Sequence, residues 1–177
     1  MVLPEVCVTY LLRERAGAVE VLLGEKKRGL GCGKLVGLGG KLHAGEDAAS
    51  AAVREIDEEA SLRVAPADLE PAGVLTYLFP MRPGWSQRSS VFCCRCFSGE
   101  PQESDELVPR WFALDAVPYE RMWSDAVHWL PTTLAAPARS REGFRATFEF
   151  GADLATAVAC DRPEFGLPTI SAVQPSA

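Results

Sequence analysis

The stretch that decides the fold runs from Gly40-Lys-Leu-His-Ala-Gly-Glu46 to Arg54-Glu55-Ile-Asp-Glu58-Glu59. Spacings of three and four residues place Glu55, Glu58 and Glu59 on one side of a helix. Carboxylates packed so closely repel one another and weaken a helix that stands alone. A divalent cation with several oxygen ligands reverses that effect. Because the cluster contains no His or Cys, it indicates Mg²⁺, with Mn²⁺ as the alternative, rather than zinc.

A basic, glycine-rich segment precedes this helix. Residues 24–45 hold eight of the 15 glycines, and five basic residues there face a single acid, although the whole chain carries a net charge of −6. This segment suits an anionic small molecule that a metal bridges to the acidic helix. The negative net charge argues against a protein that coats nucleic acid. We therefore expect a small-molecule substrate and no direct binding to nucleic acid.

Apolar patterns predict a mixed α+β fold, an α/β/α sandwich around a mixed β-sheet. One helix follows a cap at Asp47, buries its alanine side and turns its carboxylates toward a cleft. A second helix is predicted from a cap at Ser124 to Ala135. Short strands are predicted over residues 6–12, 19–23, 34–37, 74–79, 90–97, 108–113 and 145–150. We expect one domain over residues 1–150, followed by a partly disordered tail over 151–177.

The cellular setting is inferred from what the chain contains. No apolar run approaches the roughly 18 residues of a membrane span, and the N-terminus has no basic signal-peptide region. Three of the six cysteines, Cys93, Cys94 and Cys96, fall in a predicted strand, which favours reduced packing residues. These features predict a cytoplasmic protein without membrane contact, either a monomer or a small homo-oligomer.

The acidic stretch also resembles a known family pattern. Gly40, Glu46 and the run Arg54-Glu55-Ile-Asp-Glu58-Glu59 stand at the spacing of the box of the Nudix hydrolases. One position departs from it, since the final glycine of the box is Ser61 here. That glycine normally ends the helix in a left-handed conformation, which costs another residue about 1 kcal/mol. We expect Ser61 to strain the helix exit without disturbing the carboxylates.

The resemblance extends over about residues 6–150 to one branch of the family. Leu22–Gly29, Gly99–Glu106 and Met122–Asp125 are similar to the branch that hydrolyses oxidised purine nucleoside triphosphates. The resemblance implies Mg²⁺-dependent hydrolysis of 8-oxo-dGTP-like nucleotides to the monophosphate and pyrophosphate. Such an enzyme sanitises the nucleotide pool and so prevents DNA damage.

The resemblance also implies a role for individual residues of the hydrolytic centre. The three carboxylates, with the Gly39 carbonyl and the more distant Glu106, would hold metal, and either Glu59 or Glu55 would act as the base. Arg54 would hold Glu58 in register, because it lies four residues before it. Two lysines match positions that face the phosphates: Lys26 and Lys41.

The base pocket is where the chain departs most from the branch. The resemblance places Trp123 as a stacking residue and Asp125 as a carboxylate that reads the purine edge, and the aromatic walls are Tyr77 and Phe79. An ionised Asp125 can accept from N1–H and N2–H of a guanine-type base, whereas adenine would require the protonated acid. The branch's second aspartate is Ala126 here, and its asparagine is Val36, which changes the expected specificity.

Two alternatives to this function are left open by the sequence. In one, the same pyrophosphohydrolase chemistry acts on unmodified dNTPs or on another nucleoside diphosphate derivative, as the apolar Val36 and Ala126 favour. In the other, the chain is a catalytically inactive nucleotide-binding domain. The intact run of Arg54 and its three following glutamates argues against that alternative.

Overall fold

The fold is a mixed β-sheet between two helices. The computed structural model describes residues 2–136 and 143–170. The strands are β1 (Glu5–Arg15), β2 (Ala18–Lys26), β3 (Leu35–Val36), β4 (Leu69–Leu78), β5 (Gln87–Cys94), β6 (Leu107–Ala113), β7 (Phe144–Phe150) and β8 (Ala157–Cys160). The helices are α1 (Ala48–Ala60) and α2 (Ala126–Ala135).

Strand β1 joins the two parts of the sheet. The strand order is β3-β2-β1-β5-β4-β7-β8, and β6 also pairs with β2. The first part of β1 runs parallel to β5, and its last four residues pair antiparallel with β2. The β1–β2 turn contains Ala16 at φ 51° and Gly17 at φ 80°, and two positive φ angles match the twist of a tight hairpin. The predicted hairpin is confirmed.

The two faces of the sheet pack against different helices. Along β1, Tyr10 and Leu12 join the core on the α2 side, whereas Cys7 and Leu11 join the core on the α1 side. This alternation is the period of two expected of a strand that is buried on both faces. Helix α1 contributes Ala51, Ala52, Ile56 and Ala60, and helix α2 contributes Trp129, Leu130 and Leu134. The predicted α/β/α sandwich is confirmed.

The start of α2 corrects the sequence-based prediction. The helix begins at Ala126, and Ser124 does not cap it. The Ser124 hydroxyl donates instead to the Ala155 carbonyl at 3.1 Å and accepts from the Ala157 N–H at 2.7 Å. A local cap motif was a wrong interpretation because the partners of this hydroxyl lie about 30 residues away in sequence.

The sheet extends past the predicted domain boundary at residue 150. Strand β8 pairs antiparallel with β7, so part of the predicted tail completes the sheet. Residues 171–177, on which the prediction of disorder also falls, lie outside the described residues. The six cysteines form no disulfide within the described residues, and four of them are buried. Within residues 2–136 and 143–170, no helix has the length and apolar character needed to cross a bilayer.

The two ends of α1 are fixed by different means. Asp47 caps the start, and its Oδ1 accepts from the Ser50 N–H at 2.7 Å, as predicted. At the other end Ser61 adopts φ 55° and ψ 32°, and its N–H donates to the Asp57 carbonyl at 2.8 Å. The left-handed exit is therefore retained without the glycine that favours it.

Replacing Ser61 by glycine should stabilise the protein. We expect Ser61→Gly to raise the free energy of unfolding by about 0.5–1 kcal/mol, because relief of the left-handed strain exceeds the added chain entropy of glycine. Urea denaturation measures this difference. Ser61→Ala is the control, since it keeps the strain and should give no gain. A Ser61→Gly protein less stable than the parent would contradict a strained exit.

Candidate active site

Two cavities meet at the glycine-rich segment before α1. The first, of about 660 Å³, is lined by charged residues of α1, of that segment and of the loop before β6. The second, of about 330 Å³, is lined mainly by aromatic and apolar side chains. Four residues border both cavities: Lys26, Gly39, Gly40 and Lys41. A ligand with an apolar end and an anionic end could therefore occupy both.

The guanidinium of Arg54 organises the charged cavity. Its Nη1 binds Glu55 at 2.8 Å and Glu58 at 3.1 Å, and its Nε and Nη2 form a bidentate pair with Glu46 at 3.0 and 2.9 Å. Nη2 also donates to the Lys41 carbonyl at 3.1 Å. Hydrogen bonds from Arg54 and from the His43 N–H lower the pKa of Glu46 to about 2. Arg54 thus offsets the repulsion among the carboxylates and ties α1 to the preceding segment.

Glu59 lies apart from this ion-pair network. It is only 2% exposed, and its Oε2 accepts from the Gly39 N–H at 2.8 Å. Burial raises the pKa of Glu59 to about 7, against the lowering influence of the Gly39 N–H and of Lys26. A buried carboxylate in this setting is most stable when it gains a proton or a cation.

Two glycines let the backbone approach the carboxylates. A Cβ on Gly39, at φ 157°, would lie 2.1 Å from the Cys7 carbonyl oxygen. A Cβ on Gly40 would lie 2.4 Å from Glu55 Oε1. A side chain at either position would therefore displace a strand or a carboxylate.

Glu106 reaches the same cavity from the opposite wall. The Ser104 hydroxyl accepts from the N–H groups of Glu106 and Leu107, both at 3.3 Å, and shapes the turn before β6. The Lys27 N–H donates to the Glu106 carbonyl at 2.8 Å, and Arg28 Nη2 binds Glu106 Oε1 at 2.7 Å. Glu106 thus borders the cavity that Glu55, Glu58 and Glu59 also line, and its side chain is paired with Arg28.

The residues fit a hard divalent cation, although they do not form a converged cage. Among the described residues, no three His, Cys, Asp or Glu side chains lie in the arrangement of a ready metal site. Arg54 donates hydrogen bonds to Glu55 and Glu58, whereas Glu59 accepts from the Gly39 N–H. The donor set consists of carboxylate and carbonyl oxygens around one cavity, which is the chemistry that Mg²⁺ and Mn²⁺ prefer.

Aromatic rings form much of the second cavity. Phe79 stacks on Phe150 with ring centroids 4.6 Å apart, and Trp123 meets both edge-on at 6.0 and 5.5 Å. Tyr77 contacts Phe150 edge-on at 6.0 Å. The Lys34 ammonium lies 5.0 Å from the Trp123 ring centroid. The three aromatic residues predicted from the sequence all border the cavity, and Phe79 is at the same time a core residue.

Asp125 is the buried carboxylate of this cavity. It is 1% exposed, and its Oδ2 accepts from Trp129 Nε1 at 2.8 Å. Its Oδ1 has no hydrogen-bond partner among the described residues. Burial raises the pKa of Asp125, while Trp129 and the nearby Tyr77 hydroxyl act to lower it. Oδ1 lies on the cavity wall near the Tyr77 hydroxyl, and a ligand with N–H groups could donate to it.

Sequence reasoning missed several residues of the site. Phe150 closes the aromatic wall from β7, and Glu46 anchors Arg54. Gln87 and Ser89 also border the aromatic cavity, from β5. The alternation Gln87-x-Ser89-x-Val91 could have revealed the shared face of the last two, but the strand was predicted to begin only at Ser90.

The comparisons with known proteins identify the family. The NUDIX domain matches residues 3–133 of the chain. The chain belongs to the Nudix family. The resemblance stated from the acidic stretch is thereby confirmed.

Two relatives within the Nudix family carry the same name. The chain is 42% identical over 116 residues to an oxidized purine nucleoside triphosphate hydrolase of Danio rerio. The aligned region covers 64% of this chain and 71% of that protein. It is 39% identical over 114 residues to the protein of the same name from Mus musculus, and this alignment also covers 64% of this chain and 71% of that protein. A crystal structure of a MutT protein from Bacillus halodurans superimposes with a TM-score of 0.68 at 23% identity, over 86% of this chain and 93% of that one. This last likeness concerns the fold alone.

Arg54 should matter most when metal is absent from this Nudix domain. We expect Arg54→Gln to lower the free energy of unfolding in EDTA by about 1–2 kcal/mol, because three carboxylates lose their shared counter-ion. Mg²⁺ should restore part of the loss by replacing that positive charge. Thermal or urea unfolding with and without Mg²⁺ measures both effects.

Arg13→Gln is the matched control for this experiment. Arg13 pairs with Glu20 at 2.7 Å, and its side chain is exposed to the same degree as that of Arg54, but it does not border the charged cavity. The decrease in the free energy of unfolding caused by Arg13→Gln should be the same with and without Mg²⁺. A Mg²⁺ response of equal size in both variants would contradict a metal effect specific to Arg54.

Proposed function

We propose that the chain is a Mg²⁺-dependent Nudix hydrolase that cleaves oxidised purine nucleoside triphosphates to the monophosphate and pyrophosphate. The observation that carries the proposal is the junction of the two cavities at Lys26, Gly39, Gly40 and Lys41. The names of the relatives from Danio rerio and Mus musculus support the same substrate class.

The junction suits a nucleoside triphosphate in one orientation. A flat base fits the aromatic cavity against the wall that Trp123 and Phe79 form together. Lys26 and Lys41, which border both cavities, would face the phosphates as these leave the base pocket. The reacting phosphorus atoms then lie beside the carboxylates of α1.

The chemistry of the charged cavity follows from its donor set. Mg²⁺ bound there would neutralise phosphate charge and make a water molecule more acidic. The residues that would hold it are Gly39, through its carbonyl, and the side chains of Glu55, Glu58, Glu59 and Glu106. Glu55 and Glu59 are the two candidates for the general base. Arg54 positions the carboxylates, since it contacts Glu55 and Glu58 directly.

Asp125 would read the Watson–Crick edge of the base. In the ionised form its Oδ1 accepts from the N1–H or N2–H of a guanine-type base. The raised pKa of Asp125 makes the protonated form more accessible than on a surface aspartate, and that form suits the N1 acceptor of adenine. Both oxidised guanine and oxidised adenine nucleotides are thus within reach of this pocket.

A second candidate is hydrolysis of unmodified dNTPs or of another nucleoside diphosphate derivative. Val36 and Ala126 both border the aromatic cavity, so the apolar replacements noted in the sequence lie where a base would bind. A pyrophosphate-release screen over oxidised and normal nucleotides with Mg²⁺ separates the two candidates. A chain inactive on all of them would favour the nucleotide-binding domain without catalysis. Mn²⁺ as the alternative metal, a cytoplasmic location and a monomer or small homo-oligomer stay predictions.

Glu58 provides the direct test of the hydrolytic centre. Its side chain is 59% exposed, so Glu58→Gln should leave the fold intact. We expect kcat to fall by about 100-fold or more, while nucleotide binding stays measurable. Asp57→Asn removes one charge from the same helix outside the charged cavity and serves as the control. Near-full activity of Glu58→Gln would remove this site assignment.

Asp125 provides the test of base reading. In Asp125→Asn the side-chain oxygen should keep the bond from Trp129, which leaves the amide NH₂ where Oδ1 now stands. We expect kcat/KM for oxidised guanine nucleotides to fall about 10- to 100-fold, because two donors then face each other. The kcat/KM for oxidised adenine nucleotides should fall by a smaller factor. An equal loss for both bases in steady-state assays would mean that Asp125 does not read the base edge.

A further inference from the structure

Recognition by Asp125 leaves one part of the proposed function without a physical basis. N1–H and N2–H are the same in guanine and in guanine that is oxidised on its imidazole ring. A carboxylate that binds those groups therefore cannot distinguish the damaged base from the normal one. Discrimination requires polar groups elsewhere in the aromatic cavity, placed against the edge that oxidation changes.

Two such groups stand on β5. Gln87 and Ser89 both border the aromatic cavity. Arg88 between them turns to the other face, where its Nη1 binds Glu5 at 3.0 Å. The alternation of the strand therefore directs the Gln87 amide and the Ser89 hydroxyl into the cavity.

Neither side chain has a partner that would explain its place there. Ser89 is 2% exposed, yet within residues 2–136 and 143–170 its hydroxyl takes part in no side-chain hydrogen bond, and the same holds for the Gln87 amide. Both neighbours of Ser89 in the sheet, Val6 and Leu75, are apolar. A polar group that faces a cavity without a protein partner can bind a ligand group without losing an existing hydrogen bond.

Gln87 also lies close to a residue that contacts the proposed base-reading aspartate. Gln87 is the direct cross-strand partner of Tyr77, whose hydroxyl is close enough to Asp125 to lower its pKa. Tyr77 therefore neighbours both Gln87 and Asp125, and all three border the cavity. Lys26 and Lys41, the other polar residues considered for the ligand, lie at the phosphate junction instead.

We propose that Gln87 and Ser89 are specificity-determining residues that recognise a purine oxidised on its imidazole ring, an inference that rests on the proposed function. Oxidation replaces C8–H by C8=O and turns N7 from an acceptor into an N–H donor. An amide offers both a donor and an acceptor, and a hydroxyl can serve as either. The normal purine presents only the N7 acceptor at that edge, so it leaves part of this polar pair unsatisfied.

The test compares substrate preference in Ser89→Ala and Gln87→Leu with that of the parent. We expect the ratio of kcat/KM for an oxidised purine triphosphate over its normal counterpart to fall roughly three- to tenfold in each variant. Ser90→Ala is the matched control, because Ser90 is the next residue of β5 and does not border the cavity. The control should keep the parent ratio.

A metal-free measurement separates recognition from catalysis. Tryptophan fluorescence in EDTA can follow the binding of oxidised and normal purine nucleoside monophosphates, since Trp123 borders the cavity. The affinity ratio should fall in Ser89→Ala and Gln87→Leu by a factor similar to that of the kinetic ratio, with the melting temperature checking that each variant is folded.

The outcomes distinguish a failure of the roles given to Gln87 and Ser89 from a failure of the proposed function. An unchanged ratio in both variants, or equal losses on both substrates, overturns the roles of Gln87 and Ser89 while the hydrolase function stands. A parent protein that hydrolyses normal nucleotides and shows no preference for the oxidised base contradicts the proposed function itself. In that case the inference falls with it, because there is no discrimination to remove.

Discussion

The contact of Arg54 with three carboxylates is the constraint on which the rest of the site depends. Without it, the carboxylates of Glu46, Glu55 and Glu58 would repel one another at close range. One planar guanidinium binds all three and also the Lys41 carbonyl, so the same group fixes the rotamers of the acids and the path of the segment before α1. Fork-shaped donors of this kind are specific to arginine. The acidic helix can therefore form without a bound cation, because Arg54 supplies the compensating charge.

The backbone at Gly39 and Gly40 then connects this acidic cluster to the sheet. Gly39 lies against Cys7 of β1, and its N–H holds the buried Glu59. Because Cys7 and Gly39 also border the aromatic cavity, the strand that supports the hydrolytic centre forms one wall of the base pocket. The separation of the charged and the aromatic cavity is thus fixed in part by β1 and by the backbone at Gly39.

The base pocket combines packing with recognition. Phe79 and Phe150 stack as core residues and at the same time present a wall to the cavity, so changes made for specificity also affect stability. The polar groups of the wall are few: Gln87 and Ser89 come from β5, and Asp125 is the residue before α2. Val36 and Ala126 leave the remaining wall apolar. Discrimination in such a pocket depends on the few groups that remain unsatisfied until a ligand binds.

Much of the hydrolytic centre could be predicted because its residues are close in sequence. Helical spacing alone places Glu55, Glu58 and Glu59 together, and the cap at Asp47 and the left-handed exit at Ser61 depend on adjacent residues. The hairpin and most strands follow from local patterns for the same reason. The predicted start of α2 was wrong, because the Ser124 hydroxyl binds the backbone of a distant segment leading into β8 instead of capping the helix.

The sequence by itself determined the family, the acidic helix and the sandwich, because each follows from short-range periodicity or from a motif of fixed spacing. Only the tertiary structure decided that Phe150 and Gln87 share a wall with Trp123, that Arg28 faces Glu106, and that the two cavities meet at Lys26 and Lys41. These contacts join strands and loops far apart in the chain. Their geometry depends on sheet order and register, which local spacing does not encode.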